Sequence, residues 1–162
     1  MAIRQADAFR EVLGHFASGI TIITGMTPDG PAGFTCQSFS SLSLDPPLVL
    51  VLPSTSSTSW PRIGETGRFC VNILAEHQDR ISTTFARSGT DKFADVTWEY
   101  SPMGQPILEG ACAWIDCTVD GVHPGGDHHI VVGVVQDLAA TPDSRPLLYH
   151  RGSYAGTAAL GS

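Results

Sequence analysis

"ACAWIDCTVDGVHPGGDHHIVVGVVQDL", residues 111–138, decides the architecture. Its two ends, 111–119 and 128–138, are dense in β-branched and apolar residues and read as the clearest strands in the chain. "DGVHPGGD" (120–127) joins them as a turn region punctuated by Pro and Gly. Working outward, "RFCVNIL" (68–74) and "ITIIT" (20–24) are further strands. "TPDGPAG" (27–33) has turn chemistry, which predicts a hairpin joining 20–25 to 33–39. "LVLVL" (48–52) is a short continuous apolar run, expected to be buried on both faces. "LLYHRGSYA" (147–155) reads as a last strand.

Three short helices fit between these strands. Phe9, Val12, Leu13 and Phe16 recur at helical spacing on one apolar face, a helix that Gly19 ends. Pro61 and Gly67 bracket a second helix, with Thr58 and Ser59 as candidate N-caps. "EHQDRISTTFARS" (76–88) reads as the third, and 89–106 as an irregular surface excursion. Six or seven strands with about three helices predict a mainly β domain, a small closed or partly closed barrel. No repeat or linker interrupts it: a single domain over 1–156 is followed by a tail, 157–162.

Composition narrows the function classes. Charged residues make up only 15% of the 162, which argues against a disordered or solvated chain. A formal net charge of −7 argues against nucleic acid or an anionic membrane surface as partner. It still allows one phosphorylated ligand held in a local cradle of N–H groups and hydroxyls. Cys36, Cys70, Cys112 and Cys117 show neither CxxC nor zinc spacing, so reduced thiols in a cytoplasmic protein are expected. The N-terminus lacks the apolar core of a signal peptide, and no apolar run reaches membrane-spanning length.

Three stretches carry candidate chemistry. "STSSTS" (54–59) lies between a strand and a helix start, where hydroxyls and unpaired N–H groups suit an anion; helix capping is the plainer alternative. Thr35, Gln37, Phe39 and Ser41 alternate with Cys36, Ser38 and Ser40. A strand there would carry polar groups on both faces, lining a pocket for a flat heterocycle or facing solvent. In "GGDHHIVVG" (125–133), His128 and His129 point to opposite faces of a strand, so one metal is not easily shared between them. Lys92, in "GTDKF", is one of nine basic residues and a candidate phosphate partner. Trp60, Trp98, Trp114, Phe85 and Tyr149 fit core or rim positions. GxGxxG, GxxxxGK[ST] and GxSxG are all missing.

"FASGITIIT" (16–24), "GFTCQSFSSLSLDPPLVLV" (33–51), "RFCVNIL", "ISTTFA" (81–86), "DKF" (91–93), "GQPIL" (104–108), "GDHHIVVG" (126–133) and "PLLYHRGSY" (146–154) follow one another across nearly the whole chain. In that order they resemble the flavin reductase family of two-component monooxygenase systems, built on an FMN-binding split β-barrel with Greek-key-like connections. The resemblance implies hydride transfer from NADH to FMN or FAD and release of reduced flavin to a separate monooxygenase, by a homodimer. NADPH is the less favoured donor, since no arginine cluster marks a 2′-phosphate site.

The resemblance also implies that Thr35, Cys36, Gln37, Ser38 and Ser41 lie along the isoalloxazine and its side chain. Ser54, Ser57 and Thr58 would take the phosphate with Lys92 in support, and Phe85 would be among the flavin contacts. His128 would line the nicotinamide side as the catalytic residue, with Tyr149 near it. The chain departs from the family pattern at Cys36 and Gln37, where small residues or asparagine are common, and at His129, where a β-branched residue is usual. Other readings are a flavin-binding protein without reductase activity, an oxidase of the pyridoxamine phosphate type, or a metal-binding module using His123, His128 and Cys117.

Overall fold

The computed structural model describes residues 2–89 and 91–161. Among these described residues, twelve strands and three helices follow in chain order. The main sheet contains β2 (Thr21–Thr27), β3 (Gly30–Cys36), β4 (Phe39–Leu44), β5 (Pro47–Val51), β6 (Arg68–Ile73), β9 (Ala113–Gly125) and β10 (His128–Ala140), in the order β3-β2-β6-β9-β10-β5-β4. All of its ladders are antiparallel. The predicted hairpin is present, with Thr21 opposite Cys36 and Thr27 opposite Gly30.

β3 and β4 occupy opposite ends of this seven-stranded order, yet only Gln37 and Ser38 separate Cys36 from Phe39 in the chain. Three Cα–Cα steps span at most about 11 Å. The two edge strands must therefore meet, and the sheet curls into a partly closed barrel with its open seam at this corner. Leu52 N–H donates to Ser38 O across it (3.1 Å). Inside the curl, Ile23, Phe34, Val49, Val51, Phe69, Val71 and Val131 form one core, plugged by Trp60 and Ile63. These last two come from α2 (Trp60–Glu65).

A second core lies outside the curl, where Ile20, Ile22, Leu74, Phe85, Leu108 and Leu147 pack together. It is covered by α3 (Asp79–Phe85) and by a small hairpin of β7 (Trp98–Tyr100) and β8 (Pro106–Leu108). β2 lies between the two cores, with Ile22 in one and Ile23 in the other. It is therefore buried on both faces, as is β6, where Phe69 to Asn72 are all buried.

Several expectations change. "LVLVL" alternates, Val49 and Val51 buried and Leu48 and Leu50 only half-buried, because the curl covers one face of β5 alone. Most of 120–127 is paired strand: β9 and β10 run thirteen residues each, and the turn proper is Gly126-Asp127, with Gly126 at φ 68°. A two-residue hairpin loop favours such a left-handed residue, which glycine adopts at no steric cost. The 89–106 excursion contains β7. Residues 147–155 form two strands, β11 (Leu148–His150) and β12 (Ser153–Ala155), with β11 also paired to β1 (Ser18–Gly19). The third helix is shorter than predicted. α1 (Ala2–Leu13) leaves Phe9, Val12 and Leu13 exposed, Phe9 at 64% and Val12 at 67%. Among the described residues, no helix is long and apolar enough to cross a membrane.

Candidate functional site

A cavity of about 500 Å³ opens at the seam of the barrel. Its walls come from four places: the end of β3 with the 37–38 corner, the 52–59 segment leaving β5, the end of α3 with the turn after it, and the first residue of β10. Backbone bonds hold these walls together. His129 N–H donates to Pro53 O (2.8 Å) and Thr55 N–H to Asp127 O (2.9 Å). Thr55 Oγ1 donates to the same Asp127 carbonyl at 3.0 Å. The hydroxyl segment is thus fastened to the tip of the β9–β10 hairpin.

Thr35, Cys36, Gln37, Ser38, Ser54, Ser57, Thr58, Phe85, Lys92 and His128, all singled out in the sequence, line this one cavity. Ser41 and Tyr149 do not. Ser41 sits on the exposed β4, paired with Val49. Tyr149, on β11, lines an adjoining cavity that shares Gln37 and Ser38 with the first, and packs edge-on against Tyr154.

Placement refines several roles. Thr35 Oγ1 donates to Ser82 O (2.6 Å), tying β3 to α3 and leaving only its acceptor capacity for the cavity. Cys36 is buried, and burial pushes its thiol pKa up, so it is no nucleophile. Phe85 is fully buried and packs edge-on with Phe93, so it forms floor rather than a stacking face. Ser59 occupies the N-cap position of α2, but its hydroxyl does not cap; Ser57 Oγ accepts Trp60 N–H instead (3.1 Å). Ser54 and Ser56 hydroxyls lie 2.9 Å apart.

The charged groups gather at one end. Lys92 Nζ donates to Gly33 O (2.9 Å) and Phe85 O (3.1 Å), which aims the ammonium at the cavity wall; burial lowers its pKa. Arg87 and Ser88, just past α3, line the same end and escaped the sequence reading. A single arginine after a helix carries no motif; only its spatial convergence with Lys92 marks it. At the side, His128 Nδ1 lies 2.7 Å from Asp127 Oδ1. The hydrogen bond from His128, then its charge, lowers the Asp127 pKa. His123, His128 and Cys117 do not converge: His123 faces Ile130 across the hairpin, while Cys117 is buried opposite Val135. Burial and the neighbouring Asp116 carboxylate push the Cys117 thiol to about 12.

Hydroxyls and cations at one end, an imidazole at the side and no activated nucleophile describe a site that binds and positions. A flavin reductase like domain model matches residues 13–158. The chain belongs to this family. The reductase subunit HsaB of a flavin-dependent monooxygenase from Mycobacterium tuberculosis is 53% identical over 150 residues, which cover 91% of this chain and 80% of that one. Nitrilotriacetate monooxygenase component B from Mycobacterium thermoresistibile superposes with a TM-score of 0.94 at 49% identity, covering 98% of this chain and 89% of that one. The NADH:FAD oxidoreductase SgcE6 of Streptomyces globisporus, solved with NAD and FAD fragments, gives 0.91 at 31% identity, covering 96% and 94%. The flavin reductase fold accounts for the barrel, its seam and the cavity at the seam.

Proposed function

We propose that this flavin reductase holds FMN or FAD in the seam cavity, takes NADH as donor and hands reduced flavin to a separate monooxygenase, as a cytoplasmic homodimer. The observation that carries the reading is the convergence, in one cavity of about 500 Å³, of the 54–59 hydroxyls, Lys92, Arg87 and His128. The volume falls in the range of small-ligand cavities. The lining also fits a flavin phosphate: Ser54, Ser56, Thr58 and Ser88 offer hydroxyls beside two cations in a chain of net charge −7. When bound, the flavin supplies the chemistry, accepting a hydride from the nicotinamide.

The protein's own part is orientation. Cys36 and Ser38 are small and leave room at the barrel corner for a planar ring, with the Gln37 amide beside it. The Asp127 carboxylate accepts from His128 Nδ1, which fixes the imidazole at the cavity wall and leaves Nε2 without this partner. No side chain needs to move a proton to the reacting atoms. The site is open, with Gln37, Ser38, Ser56 and Thr58 exposed, which suits release of a product used elsewhere. Exposed Leu42 and Leu44 on β4, with Val122 and Leu138 on the β9–β10 hairpin, offer apolar surface for a second copy.

The test is NADH oxidation by the purified protein with FMN, FAD or neither. Saturable, flavin-dependent oxidation is expected. Flavin binding without oxidation of NADH or NADPH would overturn the reductase reading and leave a flavin carrier.

A further inference from the structure

We propose that a cavity between the β7–β8 hairpin and the start of β9 binds a guanidinium cation, the head group of an arginine. Two indoles, Trp98 and Trp114, and two carboxylates, Glu99 and Glu109, line it, and no basic side chain does.

The cavity, of about 360 Å³, has no lining residue in common with the seam cavity or with the one that adjoins it. Trp114 lies opposite Ala139 near one end of the β9–β10 ladder, and Gly125 lies opposite His128 at the other. At about 3.3 Å per residue, the strand between these ends runs roughly 35 Å. The flavin's expected path does not reach so far, and an occupant here leaves the mouth of the seam cavity clear.

Bonds between elements set the walls. Asn72 Oδ1 accepts Leu108 N–H (2.9 Å), which seats the hairpin on the sheet beside Trp114, the cross-strand neighbour of Asn72. Glu109 N–H donates to Thr97 O (2.9 Å), and Glu109 O accepts from Gln78 Nε2 (2.9 Å), so the backbone carrying this carboxylate is fixed on both sides. Trp98 is held edge-on between Phe93 and Tyr100, with centroids 6.2 and 5.1 Å away. Trp114 has only the small Ala139 opposite it on β10, and its indole is half-buried.

The chemistry of the lining converges on one kind of ligand. Both carboxylates are exposed, and the ion pairs among the described residues, Asp7–Arg10 and Asp127–His128, use neither. Glu99 stands opposite Ile107, which offers it no hydrogen bond. Indole faces attract cations through the ring quadrupole, more strongly than other aromatic rings. A guanidinium suits this mixture better than an ammonium. It is planar and weakly hydrated, so it stacks on an indole while its N–H groups fork onto a carboxylate. A phosphate or carboxylate ligand would meet two like charges. The same chemistry serves a free alkylguanidine and an arginine on the surface of a docked protein.

The test is titration of the full chain, by tryptophan fluorescence and calorimetry, with ethylguanidinium, its uncharged analogue ethylurea, and a capped Gly-Arg-Gly peptide. Ethylguanidinium should bind saturably with a Kd of about 1 mM at low salt, and ethylurea at least about tenfold more weakly. Glu99→Gln combined with Glu109→Gln should raise the ethylguanidinium Kd about tenfold, the size of one lost charge-assisted contact. Both residues are exposed, so the variant should keep its thermal midpoint and its flavin-dependent NADH oxidation. Equal affinity for ethylurea, an unchanged Kd in the double variant, or no saturable binding up to about 100 mM would overturn the site. Tighter binding of the peptide than of ethylguanidinium would support the site and assign it to a protein-borne arginine. Equal or weaker binding of the peptide would support it as a site for a free alkylguanidine.

Discussion

His128 and the hydroxyls at 54–59 meet the same cavity from different walls, so substitutions there should separate donor from flavin. His128→Ala should raise the KM for NADH about tenfold while flavin affinity, read by fluorescence titration, stays nearly unchanged. Wild-type kinetics in that variant would return His128 to a structural role. Ser57→Ala combined with Thr58→Ala should weaken FMN more than riboflavin, because only FMN carries the phosphate. Riboflavin is the needed control, since Ser57 also accepts Trp60 N–H and its loss disturbs α2. Equal losses would place the phosphate elsewhere. Legibility at this scale followed repetition: a run of hydroxyls and a Gly-Asp-His stretch stand out in a sequence. Arg87 does not, because an isolated arginine acquires a role only through neighbours that folding supplies.

Strands were legible wherever β-branched runs met turn chemistry, as in β2–β3 and in β9–β10. What the pattern concealed was which faces are covered, because that depends on curling. "LVLVL" is the more apolar of the two stretches and "ITIIT" carries two threonines, but of these two strands it is β2 that lies between the cores. The short pair β7–β8, and the division of 147–155 into β11 and β12, do not show in the sequence because three-residue strands carry too few positions to show a period. Elements approach one another closely at Gly133 of β10, where an added Cβ would lie 2.7 Å from Phe69 Cζ and 3.2 Å from Cys117 Cβ. Gly133→Ala should therefore destabilise the protein by about 1–3 kcal/mol through overpacking. A lowered denaturant midpoint at unchanged m-value would show it, and an unchanged midpoint would mean that Phe69 moves aside freely.

For the molecule as a whole, three of the four buried free cysteines, Cys36, Cys70 and Cys117, set a pH dependence. Burial raises the pKa of Cys36 and Cys70, and takes Cys117 to about 12. In the unfolded chain these thiols ionise near their ordinary value, about 8.5. The folded state then binds more protons than the unfolded one above that pH, so stability is fully present below it and falls as pH rises. Denaturation curves should shift to lower denaturant between pH 8 and 10, while at pH 7.5 a thiol reagent should label these sites quickly only in denaturant. Fast labelling of the native protein would contradict the burial.

The fastening between the hydroxyl segment and the hairpin tip has a dynamic consequence. Along β9 and β10 the ladder is long, but the segment itself is held to that hairpin by two backbone amides, Thr55 and His129, which together make the isolated Ser54–His128 bridge, and by the Thr55 hydroxyl. So few bonds open without unfolding the barrel. Their amide protons should exchange with deuterium well ahead of those in β6 and β9. A ligand spanning both walls would slow them together, giving a local clock for occupancy.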